Sequence, residues 1–156
     1  MKYKIILFSL PALVLLLNTT CGKNEAHCLS TDLGWILPSI EDTYGCTDTR
    51  RSLDIALNND YTVISNKAEY DEKVTGECHP DIVFDKYDLL IGKKGFGTGN
   101  SSIHYELRGD CKGNKILHVS FYQGWTTEAP SVTYHVLLPK AEDNQEIIVE
   151  TTIISD

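Results

Sequence analysis

Apolar and polar residues alternate along the second half of the chain with the two-residue period of β-strands. Four such runs are separated by turn residues, and a fifth is rich in β-branched residues. The runs lie at residues 82–91, 102–108, 115–122, 131–138 and 146–154. Because the connections between them are short, we expect neighbouring runs to pair antiparallel in one sheet or a small sandwich. The pattern therefore predicts an all-β protein.

The same alternation predicts which face of the sheet is buried. One side of the second, third and fourth runs carries aliphatic and aromatic residues at every second position. These residues are Ile103, Tyr105, Leu107, Leu117, Val119, Phe121, Val132, Tyr134, Val136 and Leu138. A chain of 156 residues is long enough to bury such a face within a single domain.

The pattern before the sheet is less regular. Residues 53–57 alternate like a strand and would form a hairpin with residues 61–64 through an Asn-Asn turn. The spacing of their apolar residues also fits a short helix, so both interpretations stay open. Glycines and a proline interrupt residues 28–46, where we expect no regular element of any length.

One short helix is predicted, over residues 67–74. Asn66 followed three residues later by Glu69 forms a capping box, which is typical of a helix N-terminus. Tyr70 and Val74 are four residues apart and would share the buried face of that helix. We therefore expect a single helix to pack against an otherwise all-β domain.

The first twenty residues have the pattern of a secretory signal. Lys2 and Lys4 precede an unbroken apolar run at residues 5–17. That run is too short to span a bilayer but is typical of the hydrophobic region of a signal peptide. We therefore expect residues 1–20 to be removed, and we leave them out of the fold.

A cysteine follows the signal directly. Residues 17–22, Leu-Asn-Thr-Thr-Cys-Gly, resemble the cleavage site of bacterial lipoproteins, in which the cysteine becomes the acylated first residue. The alternative is a plain secreted protein with a free thiol at Cys21, but no small-x-small site follows the apolar run, which favours lipidation. We expect Cys21 to anchor the protein to a membrane of the bacterial cell envelope, with residues 21–27 as a tether and residues 28–156 as one domain.

The chain is acidic, with 22 Asp and Glu against 14 Lys and Arg and a formal charge of −8. Two of the 14 basic residues lie in the signal, so the mature chain would keep 12 against 22 acidic residues and a charge of −10. An acidic surface repels phosphate backbones and anionic lipid head groups. We therefore expect a protein partner, no nucleic acid, and membrane contact only through the lipid anchor.

Four cysteines remain after Cys21, namely Cys28, Cys46, Cys78 and Cys111. An even number in an exported chain predicts two disulfides, and no spacing matches a zinc or redox CxxC pair. Pairing of strand 82–91 with strand 102–108 would bring a cysteine before the one and a cysteine after the other to the same end of the sheet. The expected disulfides are therefore Cys78–Cys111 and Cys28–Cys46.

Four short segments follow one another as TVI at residues 62–64, AEY at 68–70, IVFDKYDLL at 82–90 and YHVLLPK at 134–140. With a glycine-rich turn after the third, they resemble the PrcB-like C-terminal domain over roughly residues 60–150. That domain occurs in exported bacterial proteins, and its namesake associates with a surface protease and stabilises it. At the turn this chain has Gly-Thr-Gly-Asn where the family tends to have Thr-Gly-Gly-Tyr. The resemblance implies an all-β accessory or binding domain, and no catalytic residues come with it.

The sequence carries no catalytic or cofactor motif. It has no Gly-x-Ser-x-Gly elbow and no His-Glu-x-x-His pair, so we expect neither an enzyme nor a bound cofactor. The glycine-rich residues 95–100 suggest a phosphate loop, but a strand pattern follows them instead of a helix N-terminus, and no Gly-Lys-Ser/Thr occurs there. We expect them to form a flexible hairpin loop.

Two aromatic residues are candidates for a binding surface. In an up-and-down sheet, the loops after the first and third strands meet at one end, which brings Phe96 and Trp125 together beside Lys93 and Lys94. Exposed aromatic anchors ringed by polar groups are typical of protein interfaces. The alternative is that Trp125 folds back onto the sheet as core. We expect a non-catalytic protein-binding or accessory module that stabilises or modulates a surface protease, or else a protease inhibitor that uses this loop end.

Three histidines suggest a function of another class. His104, His118 and His135 each lie one step out of phase with the apolar face, so an up-and-down sheet would place them in a row on its opposite face. Such a row would hold zinc or copper, bind a small molecule, or change charge near neutral pH. The alternative is that they are solvated residues of the polar face whose pairing registers differ.

Overall fold

Strands make up most of the structure. The computed structural model describes residues 31–32, 37–110, 114–140 and 147–155. Its elements, in chain order, are strand β1 (Thr31–Asp32), helices α1 (Ile40–Tyr44) and α2 (Thr49–Ser52), strands β2 (Leu53–Ile55) and β3 (Tyr61–Ile64), helix α3 (Lys67–Lys73), and strands β4 (Val74–Gly76), β5 (Tyr87–Gly95), β6 (Asn100–Gly109), β7 (Lys115–Gln123), β8 (Ser131–Pro139) and β9 (Ile147–Ile154). The all-β prediction is confirmed.

The strands form two main sheets and a small one. The first sheet has the order β1-β6-β7-β9 and the second the order β3-β5-β8, while β2 and β4 pair by themselves. β7 runs antiparallel to β6 but parallel to β9. In the second sheet, β5 lies antiparallel between β3 and β8. The chain therefore leaves the first sheet after β7, forms β8 in the second, and returns to the first as β9.

The predicted up-and-down order is correct only for β6 and β7. β5 pairs with β8 instead of β6, and β7 pairs with β9 instead of β8. Alternation determines which side chains of a strand face the core, but it does not determine which strand lies alongside. β8 is also buried on its second face. The sequence does not indicate this, because that face carries the polar residues Thr133 and His135, which are only 1% and 4% exposed.

The first predicted strand begins later than the sequence indicates. Residues 82–86 form turns, in which the Lys86 N–H donates to the Val83 carbonyl at 2.9 Å. β5 then runs from Tyr87 to Gly95, four residues past the predicted end. The other four predicted strands agree with β6 to β9 within two residues at each end.

Two apolar cores lie on the two faces of the second sheet. The core between the two main sheets contains the predicted apolar face, and Leu117, Val119 and Phe121 at its centre are fully buried. The other core lies between the second sheet and a layer formed by the helices with β2 and β4, and it includes Ile40 and Tyr70. The predicted face is confirmed, but it is only one of two cores.

α3 confirms the predicted helix. The Asn66 side chain accepts a hydrogen bond from the Glu69 N–H at 2.9 Å, so the cap is made as its sequence indicates. Tyr70 and Val74 are buried, as expected for its inner face. Lys73 is the last helical residue, and Val74 begins β4.

Two predictions for the region before α3 are wrong. Residues 28–46 include a regular element, α1, which the Ser39 hydroxyl caps by accepting from the Asp42 N–H at 2.9 Å and which Gly45 ends at a φ of 72°. β2 and β3 are strands but do not form a hairpin, because β2 pairs with β4 and β3 with β5. Asn59, with a φ of 53°, lies in the connection that leads from one sheet to the next.

A disulfide joins Cys46 to Cys78, with 5.8 Å between the Cα atoms. Neither predicted pairing, Cys78–Cys111 or Cys28–Cys46, is compatible with it. The prediction rested on pairing β5 with β6, and β5 lies in the other sheet. Cys28 and Cys111 themselves lie outside the described residues.

The predicted signal, Cys21 and the tether also lie outside the described residues. Within the part of the chain that the structure describes, no helix is long and apolar enough to cross a membrane. The lipid anchor therefore stays a prediction from the sequence.

Candidate functional site

The loop between β7 and β8 presents the most exposed large apolar side chain of the described residues. Trp125 is 90% exposed. The Gly124 N–H donates to the Gly99 carbonyl, and the Gly99 N–H donates to the Thr126 carbonyl at 3.0 Å. The loops after β5 and β7 therefore meet at one end of the molecule, as predicted. The alternative that Trp125 folds back into the core is wrong.

The two loops approach closely at Gly99. A Cβ atom at position 99 would lie 2.1 Å from Thr126 Oγ1, so the Thr126 side chain would have to rotate away. The absence of a side chain at Gly99 therefore lets the second loop approach, and the backbone hydrogen bonds then fix the residues on both sides of Trp125.

Phe96 does not join Trp125 in an exposed pair. It is 7% exposed, and its ring packs against Phe121 with the centroids 5.2 Å apart. Its N–H donates to the Pro130 carbonyl at 3.0 Å, which ties it to the base of the same loop. Phe96 is therefore a core residue, and the prediction that it anchors a partner is wrong.

The basic residues beside Trp125 are arginines, and not the predicted lysines. Lys93 is in an ion pair with Asp54, and Lys94 lies half-buried on β5. Instead, a groove of about 260 Å³ runs beside Trp125 and is lined by Arg50, Arg51 and loop residues. The two arginines are adjacent in an acidic sequence, which is a visible signal, but only the fold shows that they lie next to a loop 75 positions away.

Arg50 is held in place by the neighbouring sheet. Its Nη1 donates to Asn100 Oδ1 at 3.2 Å and to the Ser101 carbonyl at 2.8 Å. Arg51 is more exposed, and its Nη1 lies 3.7 Å from the Asp48 carboxylate. One guanidinium is thus fixed and the other extends into solvent, and both lie along the groove.

A second cavity, of about 440 Å³, lies between α1, α2 and the strands β6 and β8. At its base His135 Nε2 is 2.6 Å from Thr49 Oγ1 and 3.5 Å from a carboxylate oxygen of Glu41. Thr49 Oγ1 also donates to Glu41. The His135 N–H donates to the Tyr105 hydroxyl at 3.1 Å, so this cluster connects the helices to both main sheets.

The electrostatics of this cluster keep Glu41 ionised. Burial raises the pKa of Glu41, but the hydrogen bond and the charge of His135 outweigh it, so the pKa is lowered below its ordinary value of 4.5. Burial raises the pKa of the Tyr105 hydroxyl, which therefore stays neutral and accepts from the backbone.

The cluster has one feature of a nucleophile and base pair, and it lacks two others. The distance from Thr49 to His135 is short enough for proton transfer. However, Thr49 is fully buried, and Glu41 approaches the same ring nitrogen as Thr49 instead of orienting the ring from the other side. His135 Nδ1 is buried with no hydrogen-bond partner among the described residues. The arrangement is more typical of a hydrogen-bonded cluster that joins the helices to the sheets than of a catalytic triad.

The predicted row of histidines does not form. His118 pairs with Glu106 and His104 with Ser120, so the two are offset by two positions, and His135 lies in the other sheet. His118 Nδ1 is 3.4 Å from Glu150, and the His104 ring packs beside Tyr122. No three potential metal ligands cluster within the described ranges. The row was wrong for two reasons: it assumed that β8 follows β7 in one sheet, and it assumed a β6–β7 register two positions away from the observed one.

Comparison with protein-family models, with curated proteins and with solved structures found no match to this chain.

Proposed function

We propose that this chain is a non-catalytic protein-binding module of the bacterial cell envelope, anchored by a lipid on Cys21, and that its Trp125 loop contacts the partner. The observation that carries the proposal is the 90% exposure of Trp125 on a loop whose backbone is hydrogen-bonded on both sides of it. Tryptophan is strongly enriched among the residues that dominate binding energy at interfaces.

The fixed loop supports binding on energetic grounds. Ordering a mobile loop would cost free energy at the moment of association, and the hydrogen bonds between Gly99, Gly124 and Thr126 make that ordering part of the folded state. The indole ring is therefore presented in advance. Burying it would remove a large apolar surface from water without rearranging the loop.

The arginines beside the loop indicate the chemistry of the partner. Arg50 and Arg51 line the groove together with Glu128, and Arg51 lies 3.7 Å from the Asp48 carboxylate, so Arg50 is the guanidinium with no carboxylate among its described partners. A surface that fits this end would offer an apolar pocket to Trp125 and a carboxylate to Arg50. Such complementarity speeds association and selects the orientation of binding more than it adds affinity.

A surface protease is the partner that the resemblance to the PrcB-like domain suggests. In the accessory role, the protease would keep its activity and gain stability on binding. In the inhibitor role, the Trp125 loop would enter the cleft of the protease and activity would fall. The loop end supports either outcome, and assay of the captured partner separates them.

The test compares two exposed apolar side chains. Trp125→Ala should leave the melting temperature nearly unchanged and weaken partner capture by about 2 kcal/mol or more, which is the scale of an interface hot spot. Val83→Ala is the matched control, because Val83 is 45% exposed and lies on a turn away from the groove. Capture is measured by crosslinking in intact cells followed by mass spectrometry.

Two results would contradict the proposal. One is equal capture by wild type, Trp125→Ala and Val83→Ala. The other is a loss of stability of about 3 kcal/mol with Trp125→Ala, which is the cost of truncating a core residue and would mean that the indole supports the fold.

A further inference from the structure

The cavity between α1, α2, β6 and β8 is lined by charges of opposite sign that do not pair with each other. Its volume of about 440 Å³ lies within the range that is usual for small-molecule sites in proteins. Arg50 lines the cavity from α2, while Glu41 and Asp42 line it from α1. Among the described residues, Arg50 forms an ion pair with neither carboxylate, and neither carboxylate pairs with another Lys or Arg. The cavity therefore keeps three charged groups apart around a space of the size of a small molecule.

Arg50 keeps free the edge of its guanidinium that binds a carboxylate. Its Nη1 donates to Asn100 Oδ1 and to the Ser101 carbonyl, which accounts for both N–H groups of that nitrogen. The N–H groups of Nε and Nη2 have no partner among the described residues. Two such parallel donors match the two oxygens of a carboxylate. Because the sheet already holds the guanidinium in place, binding would cost little further side-chain entropy.

The carboxylates that line the cavity are held in place by hydroxyl groups. Thr49 donates a hydrogen bond to Glu41, and His135 Nε2 lies 3.5 Å from the second oxygen of the same carboxylate. The Ser39 hydroxyl donates to Asp42 at 2.9 Å. A carboxylate has about four acceptor positions, so both carboxylates can still accept hydrogen bonds from an ammonium group.

The wall that β6 contributes lies within reach of both kinds of charge. Burial raises the pKa of the Tyr105 hydroxyl, and the charges of Glu41 and Arg50 also act on it, the first raising the pKa and the second lowering it. The interaction of charges weakens with distance, so both groups lie near the same part of the wall. Leu37 and Ile103 are partly buried and add apolar surface to the lining. The lining thus combines a cation, anions and aliphatic side chains.

We propose that this cavity binds a small zwitterion with an aliphatic side chain, namely a free α-amino acid or a short peptide. Arg50 binds its carboxylate, and Glu41 and Asp42 accept hydrogen bonds from its ammonium group. Leu37 and Ile103 contact the aliphatic side chain. A ligand with only one charge would leave the opposite charge of the cavity without a partner, which is costly once water is excluded.

This site is distinct from the Trp125 loop but shares one residue with it. Trp125 does not line the cavity, whereas Arg50 lines both the cavity and the groove beside Trp125. A bound zwitterion and a carboxylate of a protein partner would therefore compete for Arg50. Zwitterion binding itself requires neither Trp125 nor a protein partner, so it is measured on the chain alone.

The measurement is isothermal titration calorimetry near neutral pH, on the full-length chain purified in a non-ionic detergent. The probes are leucine and leucyl-leucine, each compared with its C-terminal amide and with its N-acetyl derivative. We expect at least one parent compound to bind with a dissociation constant below about 1 mM. The amide lacks the carboxylate and the N-acetyl derivative lacks the ammonium group, so each should bind about tenfold more weakly or worse. Binding of leucine assigns the site to free amino acids, and binding of leucyl-leucine alone assigns it to peptides.

Arg50→Gln tests the carboxylate contact, and Arg108→Gln is the matched control. Both variants remove one positive charge, but Arg108 is paired with Glu106 on β6 and does not line the cavity. Arg50→Gln should raise the dissociation constant of the parent compound about tenfold or more and leave that of the amide unchanged. Arg108→Gln should bind every compound as wild type does. A cavity that had merely changed shape would lose affinity for the parent compound and for the amide alike.

Asp42→Asn is the corresponding test of the ammonium contact. Asp42 is exposed, so this variant should keep the wild-type melting temperature even if Arg50→Gln fails to fold. It should raise the dissociation constant of the parent compound about threefold or more and leave that of the N-acetyl derivative unchanged.

Three outcomes overturn the proposal. In the first, neither parent compound binds wild type with a dissociation constant below about 1 mM. In the second, the amide or the N-acetyl derivative binds as tightly as its parent. In the third, Arg50→Gln and Arg108→Gln change the binding of the parent compound equally.

Discussion

β8 and β9 are both long strands at the end of a sheet, and they differ in what lies against them. β8 is buried on both faces, with Val132–Leu138 almost inaccessible, while most of β9 is exposed. The cover of β8 comes from α1, α2 and the residues around them. Thr133 Oγ1 donates to the Leu53 carbonyl at 2.7 Å, and the Leu137 N–H donates to the Pro38 carbonyl at 3.1 Å.

The difference shows that a strand's burial depends on segments far away in the sequence. The two strands have similar length, and β9, the exposed one, is the richer in β-branched residues. Only β8 receives a covering segment, and the Cys46–Cys78 disulfide holds that segment in place. Changes that remove the cover of β8 should therefore destabilise the fold.

Removal of the disulfide should have the largest effect. Replacing both Cys46 and Cys78 by Ser opens a loop with a sequence separation of 32 residues, and the chain-entropy estimate gives a loss of about 4 kcal/mol. Urea unfolding measures the loss. A change below about 1 kcal/mol would mean that the covering segment docks on β8 without the crosslink.

Peptide mapping under non-reducing conditions should show the Cys46–Cys78 pair directly. A Cys46–Cys111 peptide would contradict the pairing that the structure shows.

Gly92→Ala should have the next largest effect. Gly92 lies opposite Tyr134 of β8, and a Cβ atom there would be 2.3 Å from Tyr134 Cζ, so the buried ring would have to move. Overpacking of this kind costs about 2–3 kcal/mol, measured by urea unfolding. Gly97→Ala is the matched control, because its Cβ would meet no atom within 4 Å. Equal losses for the two variants would rule out the ring contact as the cause.

The sequence predicted the parts of this fold that local chemistry determines. The Asn66 cap, the inward Tyr70 and the strands β6 to β9 depend on neighbours within a few residues, and all are present. The choice of neighbouring strands was not predictable in this way. β8 illustrates the reason. Its polar residues Thr133 and His135 are typical of a solvent-exposed face, but they are buried, because Leu53 and Thr49 supply their hydrogen-bond partners.

The residues of the candidate site also differ in how far the sequence predicted their positions. The sequence left open whether Trp125 is exposed or folds back onto the sheet, and the structure shows that it is exposed. Phe96 also lies in a loop, directly after β5, but its ring packs on Phe121 of β7. The sequence pattern predicted β5 and β7 in one sheet, whereas they lie in two. Arg50 and Arg51 could not be assigned to the site, because they reach it through the packing of α2 beside β6.

Glu41→Gln should have the smallest effect, and that effect depends on pH. The pKa of Glu41 is lowered in the folded state, so its carboxylate stabilises the fold above its ordinary pKa of 4.5, and this contribution is lost as pH falls through the folded value. At neutral pH the variant should lose about 1 kcal/mol, because Glu41 is partly exposed and solvent screens its interaction with His135.

Urea unfolding between about pH 7 and pH 3 checks this prediction. The stability of wild type should fall toward that of the Glu41→Gln variant as the acid end is approached, and the two curves should meet there. The exposed Glu77→Gln variant serves as control and should follow wild type throughout. A constant gap between wild type and Glu41→Gln at every pH would contradict the role of the ionised carboxylate.

The parallel pairing of β7 with β9 constrains the order in which the molecule folds. β6 and β7 are adjacent along the chain and can close as a hairpin early. β9 is separated from β7 along the chain by β8, which belongs to the other sheet, so the β7–β9 pairing closes a longer loop than the hairpin and is expected to form later. Until then β7 has an open side. A chain that stalls before β9 is paired would therefore leave an open strand edge on β7, which is a site for aggregation.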